Sequence, residues 1–297
     1  MYWHWIDYLK RAATLNGRQP CFLNLDETSI PQATMKATGY FQVPGQKQIR
    51  PRRRLEASLR KGMATHVAII ADDTSVQAAL PQIFMVNRRL FKKKDIVDLP
   101  VPRVQIQRGF SAWNSHEKMV DILYEIGDVM IKFPQKQPIL LLDCAPCHTQ
   151  WEVIAAANAI GIWLLYIPAR MTSVLQPLDV CAFGSYKSQL SRAFLSQEVD
   201  AGLPRSRWSL VLARLVKEYW RGNKWRAAFE RVGVHELRRA DSMTRQLRKL
   251  KPTRIVTHDP PTEEDLLRIL PRGHRSLWAS VFLLPANLAG IELPELA

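Results

Sequence analysis

Residues 139–168 read ILLLDCAPCHTQWEVIAAANAIGIWLLYIP. The first five, ILLLD, are apolar up to a terminal acid, the pattern of a strand buried on both faces with a polar carboxyl end. Residues 149–159 are rich in alanine and read as a helix. GIWLLYIP at 161–168 reads as a second buried strand. Strand, helix and strand in that order call for parallel pairing through a right-handed crossover.

Upstream, CFLNLD at 21–26 repeats the pattern of an apolar run ending in an acid. ATGYFQV at 37–43 and MATHVAII at 63–70 read as further strands, and ADDTS at 71–75 as a turn. VQAALPQIFMV at 76–86 reads as a strand broken at Pro81, so residues 21–86 suggest an antiparallel meander. Residues 115–132 read as an amphipathic helix capped by Ser115, with Met119, Ile122, Leu123, Ile126, Val129 and Met130 as its apolar stripe. Residues 179–195 read as a helix opened by Asp179. The economical solution is an α/β fold, a mixed sheet flanked by helices.

Residues 1–13 read as a short amphipathic helix, and 207–222, 224–233 and 235–252 as further helices. Between residues 185 and 254, 17 Lys or Arg stand against 6 Asp or Glu, so this region is strongly basic. One or two more helices are expected in 262–297. The expected organisation is a helical lead-in at 1–19, a catalytic-type domain at 20–196 and a basic helical region at 197–297.

The whole chain has 42 Lys and Arg against 27 Asp and Glu in 297 residues, a net charge of +15. Such a surplus favours a polyanionic partner, with nucleic acid first, through phosphate neutralisation and counterion release. Two dense patches are Arg50, Arg52, Arg53 and Arg54, and Arg88, Arg89, Lys92, Lys93 and Lys94. They are read as DNA-backbone contacts, with a nuclear-localisation role also compatible. The tryptophans are read as core rather than as base-stacking groups. No apolar run is long enough to span a membrane and no signal-peptide pattern opens the chain, so a soluble intracellular protein is expected. Cys144 and Cys147 form a lone C-x-x-C with no second ligand pair, and are read as thiols in a loop after a strand rather than as structural zinc ligands.

Three segments carry the chemistry: NLDETS at 24–29, LLLDCAPCH at 140–148 and TSVLQPLDVCAF at 172–183. If the strands of 21–26 and 139–143 are neighbours, Asp26 and Asp143 lie side by side at one end of the sheet, where open α/β sheets gather functional groups. Two close carboxylates repel unless a cation lies between them, and hard divalent ions suit oxygen ligands.

These segments, TSVLQPLD above all, resemble the pogo/Tigger-like group of the DDE superfamily of transposases and endonucleases. That group reads N-x-DET, then LLLDNAPAH, then TSVLQPLD followed by a helix with F-K or Y-K. Here 35 residues separate Asp143 from Asp179, close to the gap such enzymes use. The resemblance covers roughly residues 20–195 and extends to WRAAFERVGV at 225–234. It implies a ribonuclease H-like fold with Asp26, Asp143 and Asp179 as catalytic metal ligands. It also implies two Mg2+ (or Mn2+) ions, DNA as partner, and strand cleavage by water followed by strand transfer from the new 3′-hydroxyl. Glu27 and His148 match the pattern beside the first two acids and are expected to support those ligands or position phosphate. By analogy with the pairing of two DNA ends, a homodimer acting in the nucleus is expected.

Two departures from the pattern keep a second reading open, a transposase-derived nucleic-acid-binding protein without catalysis. Cys144 stands where the family has Asn, and Ala169-Arg170-Met171 replaces its Pro-Asn-Thr. Relatives carry an N-terminal helix-turn-helix region. About 20 residues precede the first strand, so that module is not expected within this chain.

Overall fold

The computed structural model describes residues 2–31, 62–95, 101–195 and 205–235. Apolar strands dominate its centre. β1 (Gln19–Pro31), β2 (Gly62–Ala71), β3 (Gln82–Asn87), β4 (Val104–Gly109), β5 (Lys136–Leu142) and β6 (Trp163–Tyr166) form a six-stranded sheet in the order β4-β3-β2-β1-β5-β6. The pairs β1–β2 and β2–β3 are antiparallel, whereas β3–β4, β1–β5 and β5–β6 are parallel. Every strand except β2 therefore points the same way. Its carboxyl end lies along one common edge.

Helices α1 (Tyr2–Leu15), α2 (Thr74–Ala79), α3 (His116–Met130), α4 (Trp151–Ala159), α5 (Thr172–Leu175), α6 (Phe183–Leu195), α7 (Arg205–Leu215) and α8 (Arg226–Arg231) complete the described fold. α3 packs against α4, and α1 packs against β1. This is the ribonuclease H-like mixed sheet flanked by helices that the motif resemblance implied. Among the described residues, no helix is long and apolar enough to cross a membrane.

The six apolar positions expected to stripe α3 are all buried, and Ser115 accepts from the Lys118 amide as its N-cap. Five segments depart from the sequence reading or lie outside the described residues. Residues 76–86 are not one strand: α2 precedes β3, because Asp73 accepts from the Ser75 and Val76 amides and starts a helix. β4 was not anticipated, although its V-Q-I-Q alternation is the signature of a half-exposed edge strand. The helix after the third motif does not open at Asp179. A wide π-type turn, Leu178–Ala182, follows Pro177 and leads into α6, so Asp179 lies inside the first turn. The strand expected at 37–43 lies outside the described residues, as do the helices expected beyond 235.

Trp208 and Trp220 are fully buried in the helices beyond residue 205 and belong to the same hydrophobic core as the sheet. The expectation of core tryptophans fails at two positions: Trp113 is 77% exposed and Trp151 is 64% exposed. Both stand in or beside loops leaving carboxyl ends of strands, where no further layer of the described residues covers them. At the far margin of the fold, the Trp3 indole donates to the Val232 carbonyl at 2.9 Å, tying α1 to the end of α8. Gly233 follows at φ +82 with Trp3 closely apposed, a place where a side chain would meet both strain and the indole.

Asp73 does double duty, since its second carboxylate oxygen pairs with the Lys136 ammonium of β5 at 2.5 Å. Burial raises its carboxyl, but the Lys136 and Ser75 hydrogen bonds prevail and lower it to about 2. The folded value lies below the unfolded one, so the stabilisation is present above about pH 4 and is lost as pH falls towards 2. Asp73→Ala is expected to lower the unfolding free energy by roughly 1–2 kcal/mol near neutral pH. Denaturant titrations at pH 7 and pH 2.5 check this, with the difference from wild type shrinking at the lower pH.

Candidate active site at the carboxyl edge of the sheet

Register places the first two acids. β1 pairs with β5 in parallel with Leu23 opposite Leu140 and Asn24 opposite Leu141. Two residues further on, β1 reaches Asp26 and the chain leaving β5 reaches Asp143, so the two acids stand level at the carboxyl edge. Asp179 arrives from the turn after β6 and α5.

Asn24 joins the three segments. It is fully buried, its side-chain amide donates to the Leu141 carbonyl at 3.0 Å, and its oxygen accepts from the Leu178 amide at 3.0 Å. One side chain thus links β1 two residues before Asp26, β5 two residues before Asp143, and the residue just before Asp179. The sequence carries a signal for this role: Asn24 is a lone amide in an apolar strand, on the same face as Asp26.

The three aspartates interact electrostatically. Burial, then the charges of Asp179, Glu27 and Asp143, push the Asp26 carboxyl up to about 8, although its oxygen accepts from the Glu27 amide at 2.7 Å. Burial also raises Asp179, against a hydrogen bond from Thr172 and the charge of Lys187. At Asp143 burial acts upward as well, but the His148 hydrogen bond overcomes it and holds the carboxyl below its usual range.

Glu27 and His148 belong to the same network. His148 is fully buried; its Nδ1 lies 2.6 Å from Asp143 Oδ1 and its Nε2 lies 3.1 Å from Glu27 Oε1. Burial opposes the charged ring, yet hydrogen bonds to Asp143, Cys147 and Glu27 outweigh it and push His148 up to about 12. The ring is therefore an imidazolium donating to both carboxylates. Tyr166 of β6 donates to the His148 carbonyl at 2.8 Å and pins the loop. Asn114, which the sequence reading passed over, donates to Glu27 Oε1 at 2.6 Å.

Other expected residues lie apart from this cluster. Arg88, Arg89, Lys92, Lys93 and Lys94 are exposed in the loop after β3, on the same edge but two strands from β1. The Arg88 guanidinium sits 3.4 Å above the Phe110 ring. Arg50, Arg52, Arg53 and Arg54 lie outside the described residues. The Cys144 thiol turns from the carboxylates to donate to the Ile167 carbonyl at 3.2 Å. Arg170, one of the residues departing from the family pattern, adopts φ +67, a left-handed conformation that costs a non-glycine residue on the order of 1 kcal/mol.

The donor set is all carboxylate, and burial together with the neighbouring acids holds Asp26 up near 8. Both features fit a hard divalent cation, which oxygen ligands favour and whose charge relieves the repulsion. The site offers transition-metal softness only at its margin, where Glu27, Cys147 and His148 approach one another.

Two measurements follow from this geometry. Asn24→Leu keeps the volume but strands the Leu141 carbonyl and the Leu178 amide, so a loss of roughly 2–4 kcal/mol in unfolding free energy is expected. Urea denaturation checks it, and a loss under 0.5 kcal/mol would contradict the triple link. For Asp26, the folded pKa of about 8 exceeds the unfolded value of about 4. Its stabilising contribution is present at low pH and is withdrawn as pH rises through 8. Asp26→Asn is therefore expected to stabilise the metal-free protein at pH 8 by on the order of 2 kcal/mol, and by little at pH 4. Thermal melts in chelator across that range read the difference.

Known proteins share features with this chain. The chain resembles the solved Mos1 transposase paired-end complex with left transposon end at 17% identity and TM-score 0.42, covering 77% of this chain and 59% of that one. The Mos1 strand transfer complex gives 14% identity and TM-score 0.48, covering 82% and 58% respectively. The Mos1 mariner paired end complex with Mn gives 16% and 0.43, covering 80% and 59%. The chain thus spans less than two thirds of those proteins. None of the curated protein sequences matches it. Residues 87–220, which include Asp143, His148 and Asp179, match the model of the family described as DDE superfamily endonuclease.

Proposed function

We propose that the protein is a metal-dependent DNA endonuclease and strand transferase of transposase type. What supports the proposal is that Asp26 and Asp143 leave the carboxyl ends of the paired strands β1 and β5, and that burial, then the charges of Asp179, Glu27 and Asp143, raise Asp26 to about 8. In this reading the three aspartates ligate two Mg2+ (or Mn2+) ions. When bound, such ions activate the attacking water or 3′-hydroxyl and stabilise the leaving oxygen of an in-line displacement at phosphorus.

The chain's own groups have distinct tasks. Asp143 stays ionised through the His148 hydrogen bond, which makes it the ready ligand. Asp26 gives up its proton on metal binding. Glu27, held by Asn114, fixes the far side of the imidazolium and so aims Asp143. The exposed basic run from Arg88 to Lys94 lies along the same edge and contacts the DNA backbone, as do Arg50, Arg52, Arg53 and Arg54. Residues 20–196 form the catalytic domain, between the lead-in at 1–19 and the basic region at 197–297. The protein acts in the nucleus, as a homodimer that pairs two DNA ends.

A supercoiled-plasmid nicking assay tests this. Nicking is expected only with Mg2+ or Mn2+, and Asp143→Asn is expected to reduce it below detection while DNA binding persists. Nicking that survives the substitution would mean the site is misassigned. DNA binding by the wild type without nicking would favour a non-catalytic descendant, in line with the Cys144 thiol facing the Ile167 carbonyl where relatives carry an amide.

A further inference from the structure

We propose that Glu27, Cys147 and His148 form a second metal site, for a thiophilic divalent cation of the zinc type, beside the three-aspartate site. One ligand atom from each residue lies within 4.8 Å of the others. Glu27 Oε1 and His148 Nε2 are 3.1 Å apart, and the Cys147 thiol hydrogen-bonds the same ring. Zinc bonds of about 2.0–2.3 Å place tetrahedral ligands roughly 3.3–3.8 Å from one another. The cluster is within about 1 Å of that spacing, an adjustment that Glu27 and Cys147, both partly exposed, can make by side-chain rotation.

The surroundings have the form of a metal site rather than a chance meeting of ligands. Histidines that bind metal through one ring nitrogen donate the other N–H to a carboxylate, which fixes ring and tautomer. His148 has that partner already, with Nδ1 2.6 Å from Asp143 Oδ1. The Tyr166 hydroxyl holds its backbone and the Asn114 amide holds Glu27, so two of the three ligands are oriented before an ion enters.

Chemistry separates this site from its neighbour. Three aspartates offer only oxygen and suit hard ions; carboxylate, imidazole and thiolate together select a softer one. Entry of the ion displaces the thiol proton and the ring proton facing Glu27 to solvent, and leaves a fourth position for water. The sequence reading set zinc aside because it sought a second Cys or His pair. The third ligand comes instead from β1, brought alongside by its pairing with β5. An ion so close to Asp143 repels a cation held by the aspartates, so zinc-type ions are expected to inhibit Mg2+-dependent chemistry.

Cobalt(II) is the probe, titrated into the reduced full-length chain without Mg2+. One equivalent is expected to produce a near-ultraviolet sulfur-to-cobalt charge-transfer band. Zn2+ is expected to abolish the band and excess Mg2+ to spare it. Cys147→Ser should remove the band and weaken cobalt binding roughly tenfold or more, and Glu27→Gln should weaken binding while keeping the band. Cys144→Ser should leave both unchanged, because that thiol faces the Ile167 carbonyl. No band, a band that survives Cys147→Ser, or one lost in Cys144→Ser overturns the site. The readout is spectroscopic, so it stands or falls independently of DNA cleavage.

Discussion

Carboxylates crowded into a half-dry site repel one another, and the fold is arranged to hold them there nonetheless. Asp26 shows the strain most clearly, with burial and three neighbouring acids all acting against its ionisation. Such a group is costly for stability alone. The cost is sustained because the parallel pairing of β1 and β5 fixes two of the backbones and Asn24 fastens the third. Beneath them lies a hydrophobic core of largely apolar strands packed against helices.

Charge is graded across the site rather than spread evenly. Asp143 is held ionised by the His148 imidazolium, while Asp26, in the driest position, keeps its proton into the neutral range. Two chemically identical side chains thus differ because one has a buried cationic partner and the other has acids around it. The chain Asn114–Glu27–His148–Asp143 carries orientation from the loop after β4 to the loop after β5.

Much of this could be read from sequence, for identifiable reasons. ILLLD and GIWLLYIP declared themselves as strands because both faces of β5 and β6 are buried, leaving no polar positions. The stripe on α3 was legible through its helical period, and Ser115 through its capping chemistry. Local competition misled the reading elsewhere. Asp73 turned 74–79 into a helix where β-compatible residues suggested a strand, and Pro177 with the wide turn after it moved Asp179 inside the helix. β4 escaped because a half-exposed edge strand shows only a weak alternation. Trp113 and Trp151 are exposed because they flank an edge that none of the described helices covers, which composition does not reveal.

The sequence by itself determined the buried strands β1, β2, β5 and β6, which way the parallel unit had to run, and which acids follow its strands, because burial imposes a pattern that the residues display directly. Only tertiary structure decided which side chains meet. Asn24 touches positions more than a hundred residues away, and Glu27 reaches a histidine that far along the chain. Those contacts depend on strand order and register, which pair segments through backbone hydrogen bonds that any residue can make. The partners of a polar side chain therefore leave no local trace in the sequence, even where the side chain itself stands out.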